Sequence, residues 1–250
     1  MRIAILVAYD GTDFSGWQVQ PKKRTVQGVL EEELSRALGK KVVLTASGRT
    51  DAGVHAFGQV CHFDAETTIP ASKIADCVNP LLPGDVKVLK SKEVPPSFDA
   101  NRTAKRKTYR YTLYLSEREH PLYERYAVHL RDKINLDRMK EAARMLEGEH
   151  DFKAFCASGS SAKTTIRTVY ACKVEREGNK LSFVVTGNGF LYNMVRTIAG
   201  ELLDIGRGRL TVSDLKRTLE TGERKGVGKT MPAKGLALES VEYEAFRFEG

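Results

Sequence analysis

The chain has few cysteines, and their spacing is wrong for a metal site or a redox centre. Its 250 residues include four, at positions 61, 77, 156 and 172. No two form a Cys-x-x-Cys pair, which excludes a zinc ribbon and a thioredoxin-like motif. We therefore expect four free thiols with packing roles, as in a reducing compartment.

Long hydrophobic runs are also missing. No stretch approaches the roughly 20 consecutive apolar residues that a membrane-spanning helix needs. The apolar run at residues 3–8 is too short for the core of a signal peptide, and Asp10 follows it closely. The sequence therefore predicts a cytoplasmic protein that is not bound to a membrane.

A nucleotide-binding loop of the NTPase type is excluded as well. The segment GVGKT, residues 226–230, has the Gly-Lys-Thr ending of such a loop. The motif needs a glycine five residues earlier, where this chain has Glu223. A helix-like pattern precedes the segment, whereas the motif follows a strand.

Positive charge is in excess, with 40 lysines and arginines against 32 acidic residues and a net charge of +8. This balance favours a polyanionic partner, most often nucleic acid. The segment RTAKRKTYR, residues 102–110, has no acidic residue and includes Lys105, Arg106, Lys107, Tyr109 and Arg110. Basic side chains can follow a phosphate backbone while a tyrosine ring stacks on an unpaired base. A solvated edge strand, whose lysines discourage aggregation, explains the same pattern.

The first hundred residues combine strand and helix patterns. Residues 3–9 are a buried strand, and Thr25 caps a helix that Gly39 ends. Further strands are predicted at residues 42–45, around residues 60–63 and at residues 86–94. A short helix lies before Pro80. The segment PPSFDANRTA then resembles a linker.

The remaining residues repeat this mixture. KTYRYTLYL is predicted to be a strand with Tyr109, Tyr111 and Leu113 on one face, and residues 166–188 a hairpin that turns at Gly178-Asn179. Helices are predicted from Leu136 and within residues 190–206, and a strand at residues 236–246 closes the chain. The pattern predicts an α+β fold of two similar sub-domains, residues 1–100 and 101–250.

The segment SGRTDAGVHAFGQV, residues 47–60, places Arg49, Asp51 and His55 among three glycines. A small-residue loop between two strands is where a rigid scaffold presents working side chains. A turn in which Asp51 bonds its own backbone is the alternative. A metal site would use Asp51, His55 and His62, but a spacing of seven puts the two histidines on opposite faces of a strand.

The segment GRTDAGVHAFGQV resembles the signature of the tRNA pseudouridine synthase A family. Other segments resemble that family in the same order along the chain: YDGTDFSGWQVQP, TVQGVLEEEL, SFDANRTAKRKTYRY, GNGFLYNMVRTIAG and GLALESVEY. The resemblance covers almost the whole chain. It implies the pseudouridine synthase fold, in which two mostly antiparallel sheets, each with helices on one face, form a central basic cleft.

The resemblance also implies the site residues. Asp51 matches the catalytic aspartate, Tyr109 the tyrosine that packs on the target base, and Arg49 the arginine that holds the flipped nucleotide open. Arg196, in NMVRTIAG, resembles the arginine that pairs with the catalytic aspartate. Lys105, Arg106, Lys107 and Arg110 are expected to contact the RNA backbone.

The implied activity is the isomerisation of uridine to pseudouridine at positions 38, 39 and 40 in the tRNA anticodon stem and loop, by a homodimer. This reaction needs no cofactor and no metal. Asp51 can act as a nucleophile or as a base, and the sequence leaves both routes open. A non-catalytic RNA-binding protein and a metal-dependent nuclease are the competing functions.

Overall fold

The computed structural model describes residues 1–160, 162–223, 228–244 and 246–248. The chain folds as two compact units. Unit 1 contains Met1–Lys107 and Ala237–Gly250, and unit 2 contains Thr108–Leu236. Strands and helices are mixed along the chain, and the predicted α+β class is confirmed. No helix among the described residues is long and apolar enough to cross a membrane.

The strands are β1 (Arg2–Tyr9), β2 (Thr45–Ala46), β3 (His55–Asp64), β4 (Val86–Val94), β5 (Ala104–Leu115), β6 (Val128–Leu130), β7 (Gly148–Asp151), β8 (Ile166–Glu177), β9 (Lys180–Gly187) and β10 (Leu236–Tyr243). The α-helices are α1 (Val26–Leu38), α2 (Ile74–Val78), α3 (Leu136–Met145), α4 (Met194–Gly206) and α5 (Val212–Thr221). Single 3₁₀ turns lie at Ala71–Lys73, Pro121–Tyr123, Lys153–Phe155 and Ala233–Gly235.

Unit 1 is built on a sheet with the strand order β4-β1-β3-β10, and β2 adds to β3. Strand β1 is central and antiparallel to both neighbours, with Ile5 opposite Cys61 of β3 and Ser91 of β4. Ile3 and Ile5 have no exposed surface. A strand covered on both faces favours such a continuous apolar run.

The last strand belongs to unit 1, although the sequence predicts one C-terminal sub-domain from residue 101 onward. Strand β10 pairs with β3 in parallel, with Ala237 opposite His55. Tyr243 packs in the core of this unit with Val60 and Phe98, and its hydroxyl donates to the Ala100 carbonyl at 2.6 Å. This pairing joins residues far apart in the chain, so no local pattern indicates it.

Helix α1 confirms the predicted capping. The Thr25 side chain accepts a hydrogen bond from the Gly28 amide, and Gly39 ends the helix in the left-handed conformation at φ 65°. Leu30 and Leu34 lie fully buried on the inner face.

The predicted strand at residues 42–45 is wrong over most of its length, because only Thr45 and Ala46 pair with β3. Side chains of α1 accept hydrogen bonds from the backbone amides of residues 42 and 44 instead. The Val42 amide donates to Ser35 Oγ, and the Leu44 amide donates to Glu31 Oε1. These bonds to α1 replace the ladder bonds that a strand would need.

Unit 2 has the strand order β5-β9-β8-β7, and β6 runs parallel to β5. The predicted hairpin of β8 and β9 is confirmed, with Val174 opposite Phe183 and Gly178 at φ 58° in the turn. Tyr111, Leu113 and Phe183 have no exposed surface, so these strands supply the core of the unit.

Helix α4 is buried along nearly its whole length. It begins after Asn193, which has a left-handed φ of 60°, so the predicted helix starts later than its apolar pattern suggests. A Cβ at Gly206 would lie 2.5 Å from Met139 Sδ, and this glycine therefore lets α3 approach closely.

A buried carboxyl group, Glu201, lies within α4 and has no exposed surface. The Gly228 amide donates to its Oε2 at 2.5 Å. Burial raises the pKa of Glu201 from 4.5 to about 7, and the carboxylates of Asp204 and Asp214 add to the increase. The folded protein therefore binds this proton more tightly than the unfolded chain.

We predict that the free energy of unfolding falls as the pH rises from about 4.5 to about 7, because the buried Glu201 must ionise. The increase in pKa corresponds to roughly 3 kcal/mol. Glu201→Gln retains an acceptor for Gly228 and should remove most of this fall in urea unfolding at pH 5 and pH 8. The exposed Glu220→Gln should leave the fall unchanged. A fall of the wild-type size in Glu201→Gln contradicts the prediction.

Candidate active site

The Asp51 segment is an irregular loop that connects β2 to β3 in unit 1. Asp51 is half-buried and Arg49 is exposed. A turn follows, in which the Val54 amide donates to the Asp51 carbonyl at 3.1 Å and Gly53 has φ 77°. This main-chain turn leaves the Asp51 carboxylate on a fixed backbone.

The start of the loop is held by Gln59 of β3, a fully buried side chain. Its Nε2 donates to the Gly48 carbonyl at 2.8 Å, and its Oε1 accepts from Ser47 Oγ at 2.6 Å. The Ser47 amide donates to the Val60 carbonyl. One amide side chain thus satisfies two polar groups of the loop.

The middle of the loop is held at Thr50. Its hydroxyl lies 2.8 Å from the Tyr9 hydroxyl at the end of β1, and its carbonyl accepts from the Trp17 amide at 3.0 Å. A Cβ at Gly16 would lie 2.9 Å from the Thr50 carbonyl oxygen. The glycine therefore allows the segment after β1 to pass directly against the Asp51 loop.

The two histidines near the loop serve as acceptors from the main chain. His55 Nδ1 accepts from the Gly11 amide at 3.0 Å, and His62 Nδ1 accepts from the Ala100 amide at 3.1 Å. Burial lowers the pKa of His62, with Arg2 as a second cause. Across the described part of the chain, no group of three or more His, Cys, Asp or Glu side chains could hold a metal ion.

Tyr109 lies on β5 in unit 2 and is 8% exposed. Its ring meets that of Phe190 in a T-shaped contact, with ring centroids 5.3 Å apart. Phe190 lies in the GNGF segment before α4. A T-shaped arrangement is favourable for an aromatic pair, and it fixes the plane of the tyrosine ring.

Arg196 lies in the first turn of α4, also in unit 2. Its Nε donates to the Met231 carbonyl at 2.7 Å, and its Nη1 donates to Asn193 Oδ1 at 2.7 Å. The Met231 amide in turn donates to the Arg196 carbonyl. The guanidinium group is therefore oriented by its own helix and by the segment after residue 228.

The segment 228–235 is a part of this arrangement that the sequence does not indicate. A Cβ at Gly200 would lie 2.0 Å from the Lys229 carbonyl oxygen, so the segment lies directly on α4. The Tyr111 hydroxyl donates to the Pro232 carbonyl at 2.7 Å, and burial raises the pKa of Tyr111. The GVGKT motif begins in residues 224–227, which lie outside the described residues.

The four basic residues predicted to contact RNA have different surroundings. Lys105 Nζ pairs with Glu244 at 3.0 Å, and Arg110 Nη1 pairs with Glu175 at 3.0 Å. Arg106 is exposed. Lys107 is only partly exposed, and its Nζ donates to the Ser47 carbonyl at the start of the Asp51 loop.

The candidate residues are therefore shared between the two units. Arg49, Asp51, Lys105, Arg106 and Lys107 belong to unit 1, and Tyr109, Arg110 and Arg196 belong to unit 2. Gln59 and Tyr9, which hold the loop, were missed because they resemble ordinary strand residues, and Thr50 was missed because it is a small residue of the loop itself. For Gln59 and Tyr9, a polar side chain within an apolar strand is the available signal.

We predict that Gly16→Ala disturbs the Asp51 loop, because Gly16 combines φ 91° with the close Thr50 carbonyl. Gly39→Ala is the matched control, since Gly39 has φ 65° with no atom within 4 Å of an added Cβ. The control should cost about 1–2 kcal/mol of unfolding free energy. Gly16→Ala should cost about 1–3 kcal/mol more.

Hydrogen exchange locates the effect. The Trp17 and Val54 amides, which donate to Thr50 and Asp51, should exchange faster in Gly16→Ala and at the wild-type rate in Gly39→Ala. Equal exchange in the two variants would show that Gly16 does not support the loop.

Comparison with known proteins supports the resemblance seen in the motifs. A family model described as tRNA pseudouridine synthase matches residues 5–101 and 142–244. A protein of Ruminiclostridium cellulolyticum named tRNA pseudouridine synthase A is 43% identical over 97% of this chain and 99% of its own length. Proteins with the same name from Anoxybacillus flavithermus and Caldicellulosiruptor bescii are 46% and 42% identical, over 97% and 96% of this chain and 99% of each relative.

Among solved structures, an archaeal box H/ACA sRNP Nop10-Cbf5 complex aligns with 92% of this chain at a TM-score of 0.38 and 15% identity. This chain covers 58% of that chain, and a likeness of this size carries no argument about function. The match to the family model and the relatives that align over nearly their full length do support an assignment. The chain belongs to the tRNA pseudouridine synthase family.

Proposed function

We propose that the protein isomerises uridine to pseudouridine at positions 38, 39 and 40 in the anticodon stem and loop of tRNA. Membership of the family and relatives named tRNA pseudouridine synthase A support the reaction class and the tRNA substrate. The observation that carries the proposal is the Asp51 loop. Its carboxylate stands on a backbone that buried side chains hold on both sides.

The proposed chemistry breaks the N1–C1′ glycosidic bond of uridine and joins C1′ to C5 of the same base. C5 loses a proton and N1 gains one, so atoms and electrons balance within the substrate. No cofactor and no metal is required. Ionised Asp51 attacks as a nucleophile or acts as a base that forms a ribose-derived intermediate.

The target uridine lies within a folded RNA arm and must leave the stack before it reacts. We assign Tyr109 to stack on the flipped base and exposed Arg49 to hold the nucleotide open. The contact of Tyr109 with Phe190 supports this role, because a stacking partner needs a fixed ring. Arg196 is assigned to the same site, and its two hydrogen bonds orient its guanidinium group.

The cellular setting is part of the proposal. We propose a cytoplasmic homodimer that binds tRNA, with Lys105, Arg106, Lys107 and Arg110 near the RNA backbone. The ion pairs of two of these residues leave them able to bind a phosphate. Lys105 and Arg110 pair with exposed carboxylates, and such ion pairs are weak enough for a phosphate to replace the carboxylate.

A non-catalytic RNA-binding protein is the second candidate, because the basic segment alone would serve it. An acidic residue in a glycine-rich loop would repel phosphates in such a protein. Incubation of the purified protein with unmodified tRNA, without metal or nucleotide, separates the two. Carbodiimide-primer-extension or mass-spectrometric mapping should show pseudouridine at positions 38 to 40. Its absence would favour the binding protein, and metal-dependent cleavage would favour a nuclease.

We predict that Asp51→Asn abolishes pseudouridine formation and keeps the affinity for tRNA, because the amide can neither attack nor accept the proton. Asp76→Asn is the control. Its carboxylate is exposed on α2 and pairs with Lys73 at the surface, so turnover should stay at the wild-type level. Residual turnover near the wild-type rate in Asp51→Asn would contradict a catalytic role.

We predict that replacing Lys105 and Arg106 with methionine weakens tRNA binding and flattens its salt dependence. Each lost phosphate contact should reduce the slope of log affinity against log salt by roughly 0.7–0.9. Lys40→Met, which removes an exposed lysine paired with Glu66, should leave the slope unchanged. An unchanged slope in the double variant would identify this segment as a solvated surface.

A further inference from the structure

Lys107 differs from the other basic residues of its strand. Its ammonium group donates to the Ser47 carbonyl at 2.5 Å, although the two residues are 60 positions apart in sequence. Lys105, two positions earlier on the same strand, has a side chain that is 61% exposed and pairs with a carboxylate. The two lysines therefore meet different kinds of partner.

The contact brings Lys107 directly over the start of the Asp51 loop. A Cβ at Gly48 would lie 3.3 Å from Lys107 Nζ, so the absence of a side chain at Gly48 leaves room for the ammonium group. The following residues are Arg49, Thr50 and Asp51. The anchor lies only four positions before the candidate catalytic carboxylate.

Lys107 and Gln59 donate hydrogen bonds to two consecutive carbonyl groups of the loop. The Ser47 carbonyl takes its hydrogen bond from Lys107, and the next carbonyl, Gly48, takes its bond from Gln59. Ser47 and Gln59 have no exposed surface. A charged donor makes the stronger of these bonds, and its loss would leave a buried carbonyl without that donor.

We propose that Lys107 is a positioning residue for Asp51, which it serves by holding the Ser47 carbonyl and thereby the start of the loop. This inference rests on the proposed isomerase function. Thr50 holds the end of the same segment through Tyr9 and Trp17. Without Lys107, the Ser47 carbonyl loses its charged donor, and Gln59 is left to hold the start of the loop. A carboxylate displaced by about 1 Å as a result reacts slowly.

The test compares Lys107→Met with wild-type protein under single turnover at saturating unmodified tRNA. We expect the rate constant for pseudouridine formation to fall roughly 10- to 100-fold. The dissociation constant for tRNA and the salt slope of binding should stay within about twofold of wild type. Lys105→Met should give the opposite pattern, with weaker binding and a flatter salt slope.

A second variant tests the contact itself. Gly48→Ala places a methyl group against Lys107 Nζ and should slow the same step. If it acts through Lys107, its effect should be much smaller in a Lys107→Met background, since the two changes then disturb one interaction. Full additivity of the two effects would overturn the proposal.

The remaining outcomes are distinct. A wild-type rate in Lys107→Met, or a loss of affinity with a flattened salt slope and an unchanged rate at saturation, overturns the positioning role and favours a phosphate contact. If Lys107→Met loses its folded structure by thermal melting, Gly48→Ala alone decides, and a wild-type single-turnover rate in that variant overturns the proposal. Absence of pseudouridine with wild-type protein would instead refute the isomerase function.

Discussion

The need to satisfy buried backbone groups governs the candidate active site. An irregular loop that carries a working carboxylate has no ladder of its own, and each of its polar groups must find a partner elsewhere. In unit 1, Gln59 and Lys107 serve the Gly48 and Ser47 carbonyls, and Trp17 serves Thr50. These bonds give a glycine-rich segment a defined shape without regular secondary structure.

The same constraint appears in unit 2. The segment after residue 228 has no regular structure until Ala233, yet its main chain pairs with Arg196 and accepts from Tyr111. Gly200 permits this close approach. Arg196 thus gains a fixed orientation from a segment that shows no apolar periodicity, and the buried carboxyl of Glu201 binds the Gly228 amide at its start.

Strong local signals allowed accurate prediction from sequence. The capped helix α1, the hairpin that turns at Gly178 and the α+β class were predicted correctly, because capping residues, turn glycines and alternating patterns act over a few neighbours. The strand predicted at residues 42–45 was wrong over most of its length, because contacts with another element decide the conformation there. The β-branched and apolar side chains of these residues suggest a strand, but Ser35 and Glu31 of α1 bind the backbone first.

The sequence by itself determined the family, through ordered motifs that span almost the whole chain, and it singled out Asp51 as the acid of a small-residue loop. It could not assign Lys107, which looks the same as Lys105 in a basic strand. Only the tertiary structure separates them, because a lysine's partner depends on what lies beside the strand. The Ser47 carbonyl is 60 residues away in sequence and 2.5 Å away in space.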